Sequence, residues 1–196
     1  MVFDDSIPDV RESRFHDCDW SEFYPGAHEA IPPDMPEAHG MSVKLSCFVD
    51  ADHAGCKVTR RSHTGVIIFV NRAPILWFSK RQATVETSTF GSEIVAMRIA
   101  IEMIEGLRYK LRMMGVPIDG PCDVFCDNES VVKNVTRPES PIKKKHNSIA
   151  YHKARESIAA GTIRIAKEDG VTNIADIFTK LLAGPKLRDL SSRCMW

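Results

Sequence analysis

Between Ser88 and Met114 apolar residues return every three or four positions (Ile94, Met97, Ile101, Ile104, Leu107, Leu111), until Gly115-Val-Pro117 ends the pattern. A helix this long carries one apolar stripe and needs a broad apolar surface to bury it against. Short extended runs on either side supply that surface. Before the helix, Val43, Leu45, Cys47 and Val49 alternate with smaller or polar residues. Val66-Ile-Ile-Phe-Val70 and Ile75-Leu-Trp-Phe78 follow, and the turn Asn71-Arg-Ala-Pro74 between them makes a hairpin. After the helix, Val124-Phe-Cys126 reads as a fourth strand, residues 128–134 as a short helix and Lys145 to Ala159 as a further helix. Thr162-Ile-Arg-Ile165 reads as a fifth strand and Thr172 to Leu182 as a last helix. Three strands able to pair antiparallel, then alternating helix and strand, predict an α/β domain: a mixed five-stranded sheet flanked by helices.

That domain is expected over residues 43–184. Residues 1–42, with Pro8, Pro25, Pro32, Pro33 and Pro36 and little periodicity, read as an extended connector or arm. Trp20, Phe23 and Tyr24 are its candidate anchors, and residues 185–196 read as a tail. The chain has 196 residues, enough for one well-cored domain with an extension. Its 26 basic and 26 acidic residues cancel, so any nucleic-acid signal must be local. Six cysteines show neither a CxxC pair nor histidines at zinc-finger spacing, and read as reduced thiols in an intracellular setting. No apolar run approaches the roughly 20 residues of a membrane span, and the acidic N-terminus lacks a signal-peptide layout. No membrane partner is expected.

Four acids adjoin segments that should be buried. Asp50 follows Val49, Asp127 follows Cys126, Glu93 opens the long helical pattern, and Asp176 lies in the last one. An acid beside a buried segment destabilises unless its charge is compensated. Ligands of α/β sheets gather at the carboxyl ends of strands, where Asp50 and Asp127 stand and over which Glu93 could point. Clustered carboxylates raise one another's pKa, and divalent cations with oxygen ligands reverse that. Each acid also has a simpler reading. Asp50 could cap the following turn, Glu93 could answer the helix dipole, Asp127 could be an N-cap, and Asp176 could be a solvated helical acid.

The motifs around these acids narrow the choice. Phe48-Val-Asp50-Ala-Asp52-His-Ala-Gly55-Cys56, followed by Thr59-Arg60-Arg61-Ser62 and Thr64-Gly65, resembles the opening of the ribonuclease H domain of copia-type retrotransposon polyproteins. Trp77-Phe-Ser79-Lys80-Arg81-Gln82 with Thr84-Val85 is similar to that family's next block. So are Ser88-Thr89 with Ser92-Glu93, Cys126-Asp127-Asn128, Lys145-His146 with Tyr151-His152, and Ala175-Asp176 with Thr179-Lys180. They stand in the family's order over about residues 45–182. Phe90-Gly91 departs from a more usual polar or acidic pair. The loop Lys167-Glu-Asp-Gly-Val171 lacks the histidine of many cellular ribonucleases H, which leaves proton transfer to water or to a carboxylate such as Glu168.

The resemblance implies hydrolysis of the RNA strand of RNA–DNA hybrids with two Mg²⁺ ions, Mn²⁺ being an alternative. Asp50 would bridge both ions, Glu93 and Asp127 would complete the one nearer the leaving oxygen, and Asp176 would hold the other. It also implies a reverse transcriptase portion of the same polyprotein as partner, and cytoplasmic virus-like particles or the nucleus as location. A catalytically idle hybrid-binding or polymerase-docking remnant is the alternative. An integrase of related architecture is disfavoured, because its Glu belongs on a late helix. Backbone phosphates would meet Arg60, Arg61, Lys80, Arg81, Lys143, Lys144 and Lys145. Asn128, Ser130 and Thr87 are candidates for reading 2′-hydroxyls. Asp52 is expected at the surface, His146 and His152 in structural contacts, and Trp77 in the core.

Overall fold

The computed structural model describes residues 10–141 and 145–194. Five strands, β1 (Leu45–Asp52), β2 (His63–Val70), β3 (Ala73–Arg81), β4 (Cys122–Cys126) and β5 (Ile163–Lys167), form one sheet in the order β3-β2-β1-β4-β5. β1, β2 and β3 are antiparallel neighbours, whereas β4 runs parallel to β1 and β5 parallel to β4. The expected mixed five-stranded sheet is therefore present. Helix α1 (Thr89–Met113) returns the chain from the edge strand β3 to the far side of β1. Ser88 caps it, its side chain accepting from the Gly91 N–H. Helices α2 (Glu129–Thr136) and α3 (Ser148–Ala159) complete one layer.

The pleat sorts β1 between two cores. Leu45, Cys47, Val49 and Ala51 face the larger one, against Met97, Ile101 and Ile104 of α1. Phe48 faces the smaller one, with Ile67, Phe69 and Ile174. Asp50 has the parity of Phe48, so it points to the side away from the long helices.

Several boundaries differ from the sequence reading. β1 continues past Val49 to Asp52, and β3 extends through Pro74 at one end and to Arg81 at the other. The helix expected over Thr172 to Leu182 is a short 3-10 helix, Ile174–Phe178, capped by Asn173. The expected tail contains helix α4 (Gly184–Ser192), with a proline in its first turn and Leu190 fully buried. Trp77 is not in the core: it is 64% exposed. It pairs with Ile67 across the edge of the sheet, and the 3-10 helix on that face reaches only as far as Ser79, whose hydroxyl donates to the Phe178 carbonyl at 2.6 Å. Among the described residues no helix is long and apolar enough to cross a membrane.

Several of the described residues ahead of β1 pack on the domain. Trp20 is buried, and the Arg155 guanidinium sits 5.0 Å from its ring centroid. Glu29 is gripped by Arg108 at 2.7 Å and Arg112 at 2.6 Å, both on α1.

Candidate active site

The site forms where β1 outruns β4. β4 ends at Cys126, level with Val49, so the β1 backbone beyond has no strand neighbour on that side. The free Ala51 N–H is taken by the carboxylate of Glu93, arriving from the second turn of α1. Asp127 leaves the end of β4 beside them. Asp176 comes from the opposite face, carried by the 3-10 helix.

Two devices bring that helix close enough. Asn173, fully buried, donates from Nδ2 to the Val49 carbonyl at 3.0 Å and accepts from the Ala175 N–H at 3.1 Å. Gly65, the β2 partner of Asp50, leaves room for the approach. A Cβ there would stand 2.8 Å from the Ala175 carbonyl oxygen and 2.7 Å from the Thr179 methyl.

The result is a dense acidic cleft. Asp50, Asp127 and Asp176 bring one carboxylate oxygen each within 4.8 Å of one another, and Glu93, Cys126 and Asp127 form a second such group sharing Asp127. Asp50 and Asp176 are almost wholly buried, Glu93 is 6% exposed, and Asp127 is half-buried. Glu93 Oε2 has no hydrogen-bond partner. Burial, then the charges of Asp50 and Asp127, push the Glu93 carboxyl well above the usual range. Burial also raises Asp50, against the Thr179 hydroxyl on its Oδ2 and the ammonium of Lys180 at 3.2 Å from Oδ1. Asp176 accepts from Lys180 at 2.5 Å and from Lys186 at 2.6 Å. An orphaned buried carboxylate oxygen beside hard oxygen donors fits a divalent-metal site. The Cys126 thiol fits it less well, since burial raises its pKa and keeps it protonated.

No protein-family model matches the sequence. Three sequence relatives are retrovirus-related Pol polyproteins of plant transposons. Those of RE1 and RE2 of Arabidopsis thaliana are 27% and 25% identical over 154 residues, 79% of this chain. That of TNT 1-94 of Nicotiana tabacum is 28% identical over 138 residues, 70% of this chain. The chain spans about a tenth of the length of these relatives (10% and 11% for RE1 and RE2). Among solved structures, the N-terminal ribonuclease H domain of rv2228c from Mycobacterium tuberculosis superposes with a TM-score of 0.53 at 12% identity, covering 77% of this chain and 98% of that one. LC11-RNase H1, solved in complex with an RNA/DNA hybrid, gives 0.54 at 17% identity, covering 69% and 94%. The chain has the ribonuclease H fold and is similar in sequence to part of these retrotransposon Pol polyproteins. The resemblance read from its motifs, and the fold class, are borne out.

In this ribonuclease H fold none of the simpler readings of the four acids holds. The N-cap of α2 is Asn128, whose Oδ1 accepts from the Val131 N–H at 3.2 Å, so Asp127 is not the cap. Glu93 lies beyond the first turn of α1 and is buried. Asp50 is bound by Thr179 and Lys180 rather than by a turn N–H, and Asp176 is not solvated. Asp52 is the last residue of β1 and half-buried, its carboxylate filling the place a Cβ on Gly55 would take. Glu168 accepts from Arg14 and from the Thr172 hydroxyl, each at 2.6 Å. His152 contacts Tyr24 at 2.7 Å and His146 contacts Glu86 at 3.5 Å, both structural contacts.

The basic candidates divide. Arg60, Arg61, Lys80 and Arg81 are exposed at the same end of the sheet as the acids, since Ala51, Thr64 and Lys80 share one register line, as do Asp52, His63 and Arg81. Arg81 also reaches Cys56 Sγ at 3.8 Å, tying β3 to the β1–β2 loop. Lys145 is exposed ahead of α3, whereas Lys143 and Lys144 lie outside the described residues. Ser130 and Thr87 are exposed, and Asn128 is half-buried with its oxygen committed to the cap. Sequence reasoning assigned no role to Asn173, Thr179, Lys180 or Lys186, which hold the cleft together. Their signal was faint: an Asn three residues before the acid, and Thr-Lys just after it.

Proposed function

We propose that this chain is a metal-dependent ribonuclease H that hydrolyses the RNA strand of RNA–DNA hybrids, as part or a fragment of a copia-type retrotransposon Pol polyprotein. The observation that carries this reading is the convergence of Asp50, Asp127 and Asp176 within 4.8 Å, with Glu93 beside them. Asp50, Glu93, Asp127 and Asp176 would together hold two divalent ions. When bound, such ions make a water more acidic and stabilise charge on the attacking and leaving oxygens. Supporting this reading, Asp50 and Glu93 stand in β1 and α1, Asp127 directly follows β4, and Asn173 ties the 3-10 helix that carries Asp176 to β1. Arg60, Arg61, Lys80 and Arg81 would grip backbone phosphates along the same edge, with Lys145 beyond them. Ser130 and Asn128 would meet the minor groove of the hybrid. The reverse transcriptase portion of a longer polyprotein would be the covalent partner, and virus-like particles or the nucleus the setting.

The test is cleavage of a labelled hybrid, beside single-stranded and duplex controls, with Mg²⁺ or Mn²⁺. The wild type is expected to cut the RNA strand of the hybrid alone, leaving 3′-hydroxyl and 5′-phosphate ends, and Asp50→Asn to lose at least about a hundredfold in rate, as loss of a transition-state electrostatic contact does. Equal cutting by both would reject the assignment. Binding without cutting by the wild type would point to an idle hybrid-binding module.

A further inference from the structure

All carboxylate oxygens of the two most deeply buried acids are already claimed by donors of this chain. Asp50 Oδ2 accepts from the Thr179 hydroxyl, and Asp50 Oδ1 faces the Lys180 ammonium at 3.2 Å. The same ammonium lies 2.5 Å from Asp176 Oδ1, and Lys186 holds Asp176 Oδ2 at 2.6 Å. Lys180 thus bridges two acids from different elements, in the group whose oxygens lie within 4.8 Å of one another. Glu93, on the other wall, has an oxygen with no partner. Compensation in the cleft is one-sided, and it comes from the segment that follows β5.

We propose that Lys180 is a built-in counter-cation that competes with divalent metal for Asp50 and Asp176; this rests on the metal-site reading above. An ammonium and a divalent ion sharing the same oxygens would repel strongly in so buried a place. Metal binding therefore requires the Lys180 head to leave. The side chain is able to go, since it is 37% exposed on a flexible stem, and its head can swing into water while the backbone stays in place. Lys186 is a lesser competitor, because it touches only Asp176 and is also held by the Gly170 carbonyl at 3.1 Å. Without metal, the same lysines relieve repulsion between Asp50 and Asp176 and keep the 3-10 helix on the sheet.

Mn²⁺ alone is the probe, with free ion counted by electron paramagnetic resonance in titrations of the full chain. Lys180→Met is expected to bind Mn²⁺ more tightly by about tenfold, the factor that corresponds to one charge-assisted contact. Its metal-free melting temperature should fall, and its rise on adding Mn²⁺ should exceed that of the wild type. Lys186→Met should show the same changes to a smaller degree, and Asp50→Asn should weaken binding. If Lys180→Met is unfolded without metal, Lys180→Gln supplies the comparison, and refolding of either by Mn²⁺ supports the proposal. Unchanged or weaker binding by both Lys180 variants, while Asp50→Asn is weakened, overturns the competition and leaves the metal site standing. Binding that ignores Asp50→Asn removes the site and the competition together.

Discussion

Glu93 carries a buried carboxylate oxygen without a partner, between Asp50 and Asp127. Its folded-state pKa is raised, so below the ordinary carboxylate range both folded and unfolded chains hold the proton and no penalty arises. As pH climbs from there toward the raised value, the unfolded chain ionises freely while the folded chain resists, and stability falls. Glu93→Gln removes that penalty. Metal-free Glu93→Gln should therefore be more stable than wild type by about 1–3 kcal/mol at pH 8, a gap that closes toward pH 4. Chemical denaturation at several pH values checks this, and saturating Mn²⁺ should reverse the order. The four acids were legible because each adjoins an apolar run that had to be buried. Lys180 and Lys186 were not, since nothing local says that a long cationic side chain turns inward. Trp77 misled for the converse reason: alternation placed it on one face of a strand without saying where the cover of that face ends.

At the scale of elements, Gly65 decides whether the 3-10 helix can lie on the sheet. A methyl group there would press on the Ala175 carbonyl, which is backbone and cannot rotate away, and on Phe178 Cβ at 3.0 Å. Gly65→Ala should destabilise by about 1–3 kcal/mol through overpacking. It should also displace Asp176 from Asp50, so hybrid cleavage falls further than the loss of folded protein explains. Comparing cleavage rate with far-ultraviolet circular dichroism separates the two effects. The hairpin of β2 and β3, and the long helix α1, were plain in the sequence because each follows a local rule. β3 passes Pro74 because an edge strand tolerates a residue without an N–H. The 3-10 helix was overestimated because helical spacing continues through Leu181, although that side chain is fully exposed. The start signal of α4, Gly184-Pro185, was available but was read as part of a tail.

Across the whole molecule, the segment ahead of β1 is clasped to the helical layer by contacts that no local pattern announces. Arg155, itself buried, lies against the rings of Trp20, Tyr24 and Tyr151, so an arm residue and a helix residue share one cation. The second clasp joins Glu29 to Arg108 and Arg112, 79 and 83 residues away. Arg108 is only 3% exposed and also donates to the Gly120 carbonyl, so its charge depends on Glu29 for compensation. Burial alone would raise the Glu29 carboxyl, but the two guanidinium groups outweigh it and hold the pKa down at about 2. A depressed folded-state pKa gives stability that is fully present above the unfolded value and is lost as pH falls through the folded one. Glu29→Gln leaves a buried guanidinium without its counter-charge and should destabilise by about 2 kcal/mol at pH 7. Between roughly pH 4.5, the ordinary range for Glu, and pH 2, the wild type should lose this advantage and the two curves should converge. Thermal unfolding of both proteins across that interval decides the matter. A constant gap down to pH 2 would mean that the charge of Glu29 does not hold the clasp. If charge holds the arm, a protease at pH 7 should cut Glu29→Gln within residues 10–42 sooner, while hybrid cleavage by the intact domain stays close to that of the wild type.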